Sequence, residues 1–294
     1  MASDHRDRRL DTAIITSIFP IRRAALAATA AVFGGAIYGA ASQPVEIWEQ
    51  SGPASKILAD PTWPDTFPLG AHHLKRIDES PDTIFYGQPR VNVQHIDEHA
   101  VATLGKFYAE QLPKGGAVLD LMSSWTSHLA SGSGQNKEDG HFARVAAVGM
   151  HESELKANPA LHDFVSHDLN ANPSLPMYAA NSFDAVVCSV SVDYLADPLP
   201  VFREIHRVLK PDGLALFTWS NRMFPSKAIA AWRTASEPAR LWICGSYFKY
   251  SVPDGFTPPK GFDISPYPGR TDPVYAVSAR KVALPSAPQQ KAEL

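Results

Sequence analysis

A chain of 294 residues, with 45% hydrophobic and 19% charged side chains, can bury a real core, which excludes a disordered protein. The length suits one large α/β domain with extensions. A net charge of −3 gives no general electrostatic reason to bind nucleic acid, so that class of partner is set aside.

In chain order, the first feature is the uncharged run 24–42, which follows Arg22-Arg23. Its length meets the minimum for a membrane span, although its small residues make it only weakly hydrophobic. Twin arginines, a soft apolar run and the small end Gly39-Ala40-Ala41 also fit a twin-arginine export signal. Residues 1–43 are therefore read as a targeting or membrane-anchor segment; an Ala-rich helix packed on the domain is the alternative. Upstream Arg and Ser residues suggest an organelle address, against which stand Asp4, Asp7 and Asp11. Residues 44–96 form a proline-rich arm, and a second proline-rich stretch lies at 253–288. Both are expected to be extended segments wrapped around a regular centre.

From 97 to 282 strand-like and helix-like pieces alternate, the pattern of a sheet with helices on both faces. Asp97 is a candidate N-cap for a helix over 98–111 with an apolar stripe of Val101, Leu104, Tyr108 and Leu112. Ala117–Leu121, Arg144–Gly149, Phe164–Ser166 and Phe183–Val190 are the first four strands, the last a continuous apolar run of the kind buried on both faces. A helix over Pro198–Leu209 stops at Lys210-Pro-Asp-Gly213, and Leu214–Trp219 is the fifth strand. A helix near 225–236 and a strand over Val274–Arg280 close the domain, leaving 283–294 as a flexible tail. Of the two cysteines, too few for a disulfide framework, Cys188 falls in the fourth strand and is read as a free, inert thiol.

The order Phe183-Asp-Ala-Val186, helix, Leu209-Lys-Pro-Asp-Gly213, strand resembles class I S-adenosylmethionine-dependent methyltransferases, and within them the type 11 branch. The resemblance covers about two-thirds of the chain, residues 97–282. It implies a Rossmann-like seven-stranded methyltransferase sheet with an N-terminal extension, and S-adenosyl-L-methionine as cofactor. A narrower similarity is to plant and algal proteins with DLMSSW in place of the glycine motif, and with FYxxPR and HID upstream. Here those read Asp120–Trp125, Phe85–Arg90 and His95–Asp97. With the front end, this similarity makes an organelle location, the chloroplast thylakoid among them, the expectation.

By this resemblance Asp120 stands at the motif I acid, and Asp168-Leu169 at the position that contacts adenine. Met122, Ser123, Ser124 and Trp125 replace glycines that let the cofactor lie against the backbone. The serines can still turn and donate hydrogen bonds, whereas Trp125 cannot mimic glycine. His151 stands near the usual ribose-binding acid, with Glu152 and Glu154 following; an imidazole has one donor and one acceptor, so it grips a diol less firmly. Each residue also has a plainer reading. Asp120 and Asp168 suit turn caps, and His151 suits an exposed loop. Ser189 and Ser191 follow the fourth strand, where donor and acceptor should meet, and they equally suit close packing. Tyr194, Asn221 and Arg222 are candidates for substrate contact. Tyr86 and Arg90 suit a flap over the cofactor, since arginine holds a carboxylate bidentately; a surface salt bridge is the plainer role for Arg90.

His95-Ile-Asp-Glu98-His99 fits the H-x-x-E-H zinc-protease pattern. That chemistry needs both histidines on one helical face, and with Asp97 capping the helix His95 lies outside it, so no metal is expected. The loop Gly132–Gly140 has no strand before it and reads as a solvated connection. A nicotinamide-dependent dehydrogenase would need G-x-G-x-x-G after the first strand. Two functions remain. One is methyl transfer to a small-molecule or lipid-like acceptor; the other is an inactive methyltransferase-like scaffold, an assembly factor or subunit of a membrane complex. An acid pair at 120 and 168 favours the enzyme, and Trp125 filling the cofactor site would favour the scaffold.

Overall fold

Strands rich in Val, Ala and Leu, buried on both faces, build a seven-stranded sheet in this computed structural model, which describes residues 53–129 and 142–283. The run 24–42, the loop 132–140 and the tail beyond 283 lie outside the described residues. Among the described residues, no helix is long and apolar enough to cross a membrane.

The strands are β1 (Ala117–Ser123), β2 (Arg144–Gly149), β3 (Asp163–Ser166), β4 (Phe183–Ser189), β5 (Leu209–Trp219), β6 (Lys260–Asp263) and β7 (Tyr275–Arg280). Their order is β3-β2-β1-β4-β5-β7-β6. The first five are parallel, and β7 runs antiparallel to both β5 and β6. This is the expected Rossmann-like seven-stranded sheet, with its switch point between β1 and β4. Side chains alternate between two buried clusters. Leu119, Val186, Cys188 and Phe217 face one, and Val118, Val187 and Leu216 face the other.

The helices are α1 (Pro53–Ala59), α2 (Ala71–Leu74), α3 (Asp82–Phe85), α4 (Glu98–Gln111), α5 (Glu152–Ala157), α6 (Pro198–Val208), α7 (Ala230–Thr234) and α8 (Glu237–Ser251). Helix α4 starts where expected, because the Asp97 side chain accepts the Ala100 N–H at 2.9 Å. It buries Ala100, Leu104, Phe107 and Tyr108 on one face of the sheet. On the other face α6 buries Val201, Phe202, Ile205 and Val208 beside α8.

Three findings depart from the sequence reading. The expected helix at 225–236 shrinks to the five residues of α7, and the long helix is α8, one step later. Helix α8 is buried on nearly every side from Ala239 to Phe248, so it carries no amphipathic stripe to read. Secondly, β5 begins at Leu209, which pairs with Phe183, while Leu214 pairs with Ala185. Lys210–Gly213 bulges out between these pairings, held by Lys210 Nζ on Asp184 Oδ2 at 2.7 Å. Thirdly, the proline-rich arm folds into short helices as well as extended chain. Its Ala54, Leu58 and Leu69 join the main core, where Leu58 and Trp63 cover Gly245 of α8.

Candidate functional site

The carboxyl ends of β1 to β5 surround a cavity of about 310 Å³, in the size range of small-ligand sites. Its floor is the turn after β1 and the end of β2, one wall is the loop after β3, and another is formed by the loops after β4 and β5. Residues of the arm between Asp82 and His95 form the roof. Of the residues singled out from sequence, Met122, Ser123, Ser124, His151, Asp168, Leu169, Ser191, Tyr194, Tyr86, Arg90 and Arg222 line it. Asp120 and Ser189 instead line an adjoining cavity of about 80 Å³, which shares Met122–Ser124, Ser191 and His95 with the larger one. Asn221 lines neither and takes the Ser220 hydroxyl at 3.3 Å.

The β1 turn is built without glycine. Met122 adopts φ +55°, the left-handed conformation that glycine would take freely. The β1–β2 ladder slips one residue there, between Leu121 and Ser123. Opposite, Gly149 lies so close that a Cβ would stand 2.2 Å from the Ser123 carbonyl oxygen. Ser123 Oγ donates to Asp120 at 2.6 Å, and Ser124 Oγ donates to Glu154 Oε2 at 2.6 Å. Asn158 Nδ2 ties the next residues, donating to Ser124 O at 3.0 Å and Ser127 Oγ at 2.8 Å. Trp125 turns away from the larger cavity into the smaller, where its indole N–H donates to Val93 O at 3.2 Å. Val190, in the wall of both cavities, also has a left-handed backbone, φ +52°. A β-branched residue rarely takes that conformation, and such strain gathers at functional sites.

Asp120 is 1% exposed, and burial pushes its carboxyl up to about 7 although the Ser123 and Ser127 hydroxyls pull it down. Ser189 Oγ pairs with the buried Tyr108 hydroxyl at 2.7 Å, and that hydroxyl also meets Thr218 Oγ1 at 3.0 Å. Asp168 closes an Asx turn, accepting the N–H groups of Asn170 at 2.9 Å and Ala171 at 3.2 Å. His151 caps α5 through Nδ1, which accepts Ser153 N–H at 3.3 Å. Asp168 therefore fills its plainer role, whereas His151 is a half-buried helix cap and not an exposed loop residue; both stand in the cavity wall.

The roof is fastened by buried charge. Asp82 receives Arg76 Nη1 at 2.7 and 2.9 Å, Lys227 Nζ at 3.2 Å and Asn170 Nδ2 at 2.7 Å. Burial works against the Asp82 carboxylate, and Asn170 with the two cations holds it below its usual range. Lys227 also reaches Asp78 Oδ2 at 3.1 Å and donates to Ser80 O at 2.7 Å. Further along the roof, Glu154 Oε1 accepts the Arg90 backbone N–H at 2.6 Å, joining the arm to the β1 turn. The Arg90 guanidinium lies 4.9, 5.2 and 5.1 Å from the ring centres of Phe85, Tyr86 and Phe224. The ring of His95 meets Phe224, 5.2 Å between centres, whereas that of His99 meets Tyr267. Sequence reading missed Asp82, Asn170 and Phe224, and gave Glu154 no role; no local spacing announces partners 88 or 64 residues apart.

The type 11 methyltransferase model, described as a methyltransferase domain, matches residues 128–217. No curated protein matches the chain. Among solved structures, the chain is 18% identical to an S-adenosylmethionine-dependent methyltransferase from Mesorhizobium loti, with TM-score 0.40, over 61% of this chain and 98% of that one. A methyltransferase from Aquifex aeolicus matches at 17% identity and TM-score 0.43, over 70% and 100% of the two chains. Phosphoethanolamine N-methyltransferase 2 of Haemonchus contortus, solved with S-adenosyl-L-methionine, matches at 15% identity and TM-score 0.38. That match covers 63% of this chain and 52% of that one.

Proposed function

We propose that the larger cavity binds S-adenosyl-L-methionine and that this protein directs its methyl group to a small-molecule or lipid-like acceptor. The observation that carries the reading is the convergence, in one cavity at the switch point of the sheet, of the Met122–Ser124 turn, Asp168-Leu169 and the Ser191–Tyr194 loop. The family match over residues 128–217 supports it. The residues present fit the group. Met122 takes the backbone shape of the missing glycine, and Trp125 leaves the larger cavity open. The plant and algal DLMSSW variant, and a membrane or organelle location through 24–42, belong to the same proposal and rest on sequence.

When bound, the sulfonium supplies an electrophilic methyl carbon. Leu169 would pack against the adenine, and the Asp168 turn would meet its polar edge. Glu154 and His151, both in the cavity wall, would accept from the ribose hydroxyls. The Ser123-Ser124 segment would carry the amino-acid part. The remaining task of the chain is orientation: Ser191, Tyr194 and Phe224 shape the acceptor side, and such positioning supplies about 7–11 kcal/mol of barrier lowering. The roof would shield the reacting atoms from water.

Calorimetric titration of the full chain with S-adenosylhomocysteine tests this reading. Micromolar binding is expected, weakened about tenfold in Asp168→Ala. A folded protein that binds nothing at millimolar ligand would leave the inactive scaffold as the function.

A further inference from the structure

Arg90 lines the cavity from the roof, and the proposed methyl transfer leaves its chemistry without a task. Its guanidinium carries five N–H donors, of which one is engaged, Nη2 on the Phe85 carbonyl at 3.1 Å. Among the described residues no carboxylate pairs with it. Glu154 takes the Arg90 backbone N–H and the Ser124 hydroxyl instead. Asp82 is already shared between Arg76 and Lys227, and Arg222 is held by Asp272 at 2.8 Å. Three rings around the half-buried, planar guanidinium hold it in place and partly dry, and four of its five donors make no hydrogen bond to a described residue. Beside it Tyr86, its ring against the guanidinium, also lines the cavity, and its hydroxyl has no hydrogen bond to a described residue.

A fixed fork of donors, an adjacent free hydroxyl and no internal counter-ion match a planar oxyanion. We propose that Arg90, assisted by Tyr86, seats a carboxylate of the ligand in this cavity. The inference rests on the cavity being the ligand site of the proposed methyl transfer. Two sources share this chemistry: the amino-acid end of the cofactor, and an acid group on the methyl acceptor. In the second case the acceptor is a carboxylate with an apolar or aromatic body, since Phe85, Tyr86 and Phe224 surround the charge.

The test compares the full chain with Arg90→Met and with Tyr86→Phe, which removes only a hydroxyl, each checked for an unchanged thermal midpoint. The first arm titrates S-adenosylhomocysteine against methylthioadenosine, which lacks the amino-acid end. The second titrates benzoate, cinnamate and octanoate against their neutral amides, with and without saturating S-adenosylhomocysteine. Arg90→Met weakening S-adenosylhomocysteine by about tenfold to a hundredfold, with methylthioadenosine unchanged, assigns the seat to the cofactor. Unchanged cofactor binding with loss of a wild-type preference for acid over amide assigns it to the acceptor. Either result upholds the seat, and Tyr86→Phe should follow in the same arm with a smaller loss. If Arg90→Met alters neither arm, or wild-type protein prefers no carboxylate in either, the proposal is overturned. Failure of S-adenosylhomocysteine to bind would end the methyl-transfer reading, while the acid–amide arm on the cofactor-free protein still decides the seat.

Discussion

Asp120 and Asp193 are both buried carboxyls pushed up to about 7, chiefly by loss of water around the charge, and Asp193 Oδ2 has no hydrogen-bond partner. His128 is shifted the other way, down to about 4, by burial and then by His95. These shifts set opposite slopes. Between pH 4 and 7 the folded chain holds protons on Asp120 and Asp193 that the unfolded chain has released, so their contribution falls as pH rises. Between pH 4 and 6.5 the unfolded chain protonates His128 first, so that contribution grows with pH. Above 6.5 only the carboxyl slope remains. Asp120→Asn is therefore expected to match wild type near pH 4 and to exceed it at pH 8 by about 4 kcal/mol. Thermal unfolding at pH 5, 6.5 and 8 measures this; a variant with the wild-type pH slope would show that the carboxylate ionises at no cost. Sequence placed Asp120 at the end of a strand, with two roles open to it. Which way its oxygens turn depends on Ser127 and on the depth of the sheet above it, and neither is local information.

At the scale of elements, the approach of β1 to β2 is the tightest point of the site. Gly149 faces the Ser123 carbonyl, and a methyl group there would also stand 3.0 Å from Leu155 Cδ2. Backbone cannot yield as a flexible side chain does, so Gly149→Ala must displace the very turn that lines the cavity. A loss of about 1–3 kcal/mol is expected, together with weaker binding of S-adenosylhomocysteine. Denaturant unfolding and calorimetry check the two effects, and unchanged values in both would show that the strands part freely. Elements with a strong local signature were legible: β2, β4 and α4 follow from apolar runs, turn residues and the Asp97 cap. Helix α8 was not, because burial on all sides erases its period. Strand β6, with four residues, is too short for alternation to show.

For the whole molecule, a sheet with helices on both faces followed from the alternation of elements along the chain, and its seven strands followed from the family resemblance. The roof did not. Asp97 and Asp272 exchange backbone N–H donors across 175 residues at 3.0 and 2.6 Å, and Lys227 reaches back 147 residues to Ser80. Contacts that distant leave no pattern in composition or spacing, which is why the proline-rich arm reads as a wrapping segment when its side chains are core. The amine of Lys227, with its side chain 0% exposed, has a chemical consequence. An acylating reagent can reach that nitrogen only while the roof is lifted, so its modification rate is a clock for that opening. A ligand enclosed beneath the roof should slow the clock. Mass-spectrometric counting of acylated Lys227, with and without S-adenosylhomocysteine, would then register occupancy without any turnover or knowledge of the acceptor; equal rates would mean that ligands come and go beneath a roof that opens on its own schedule.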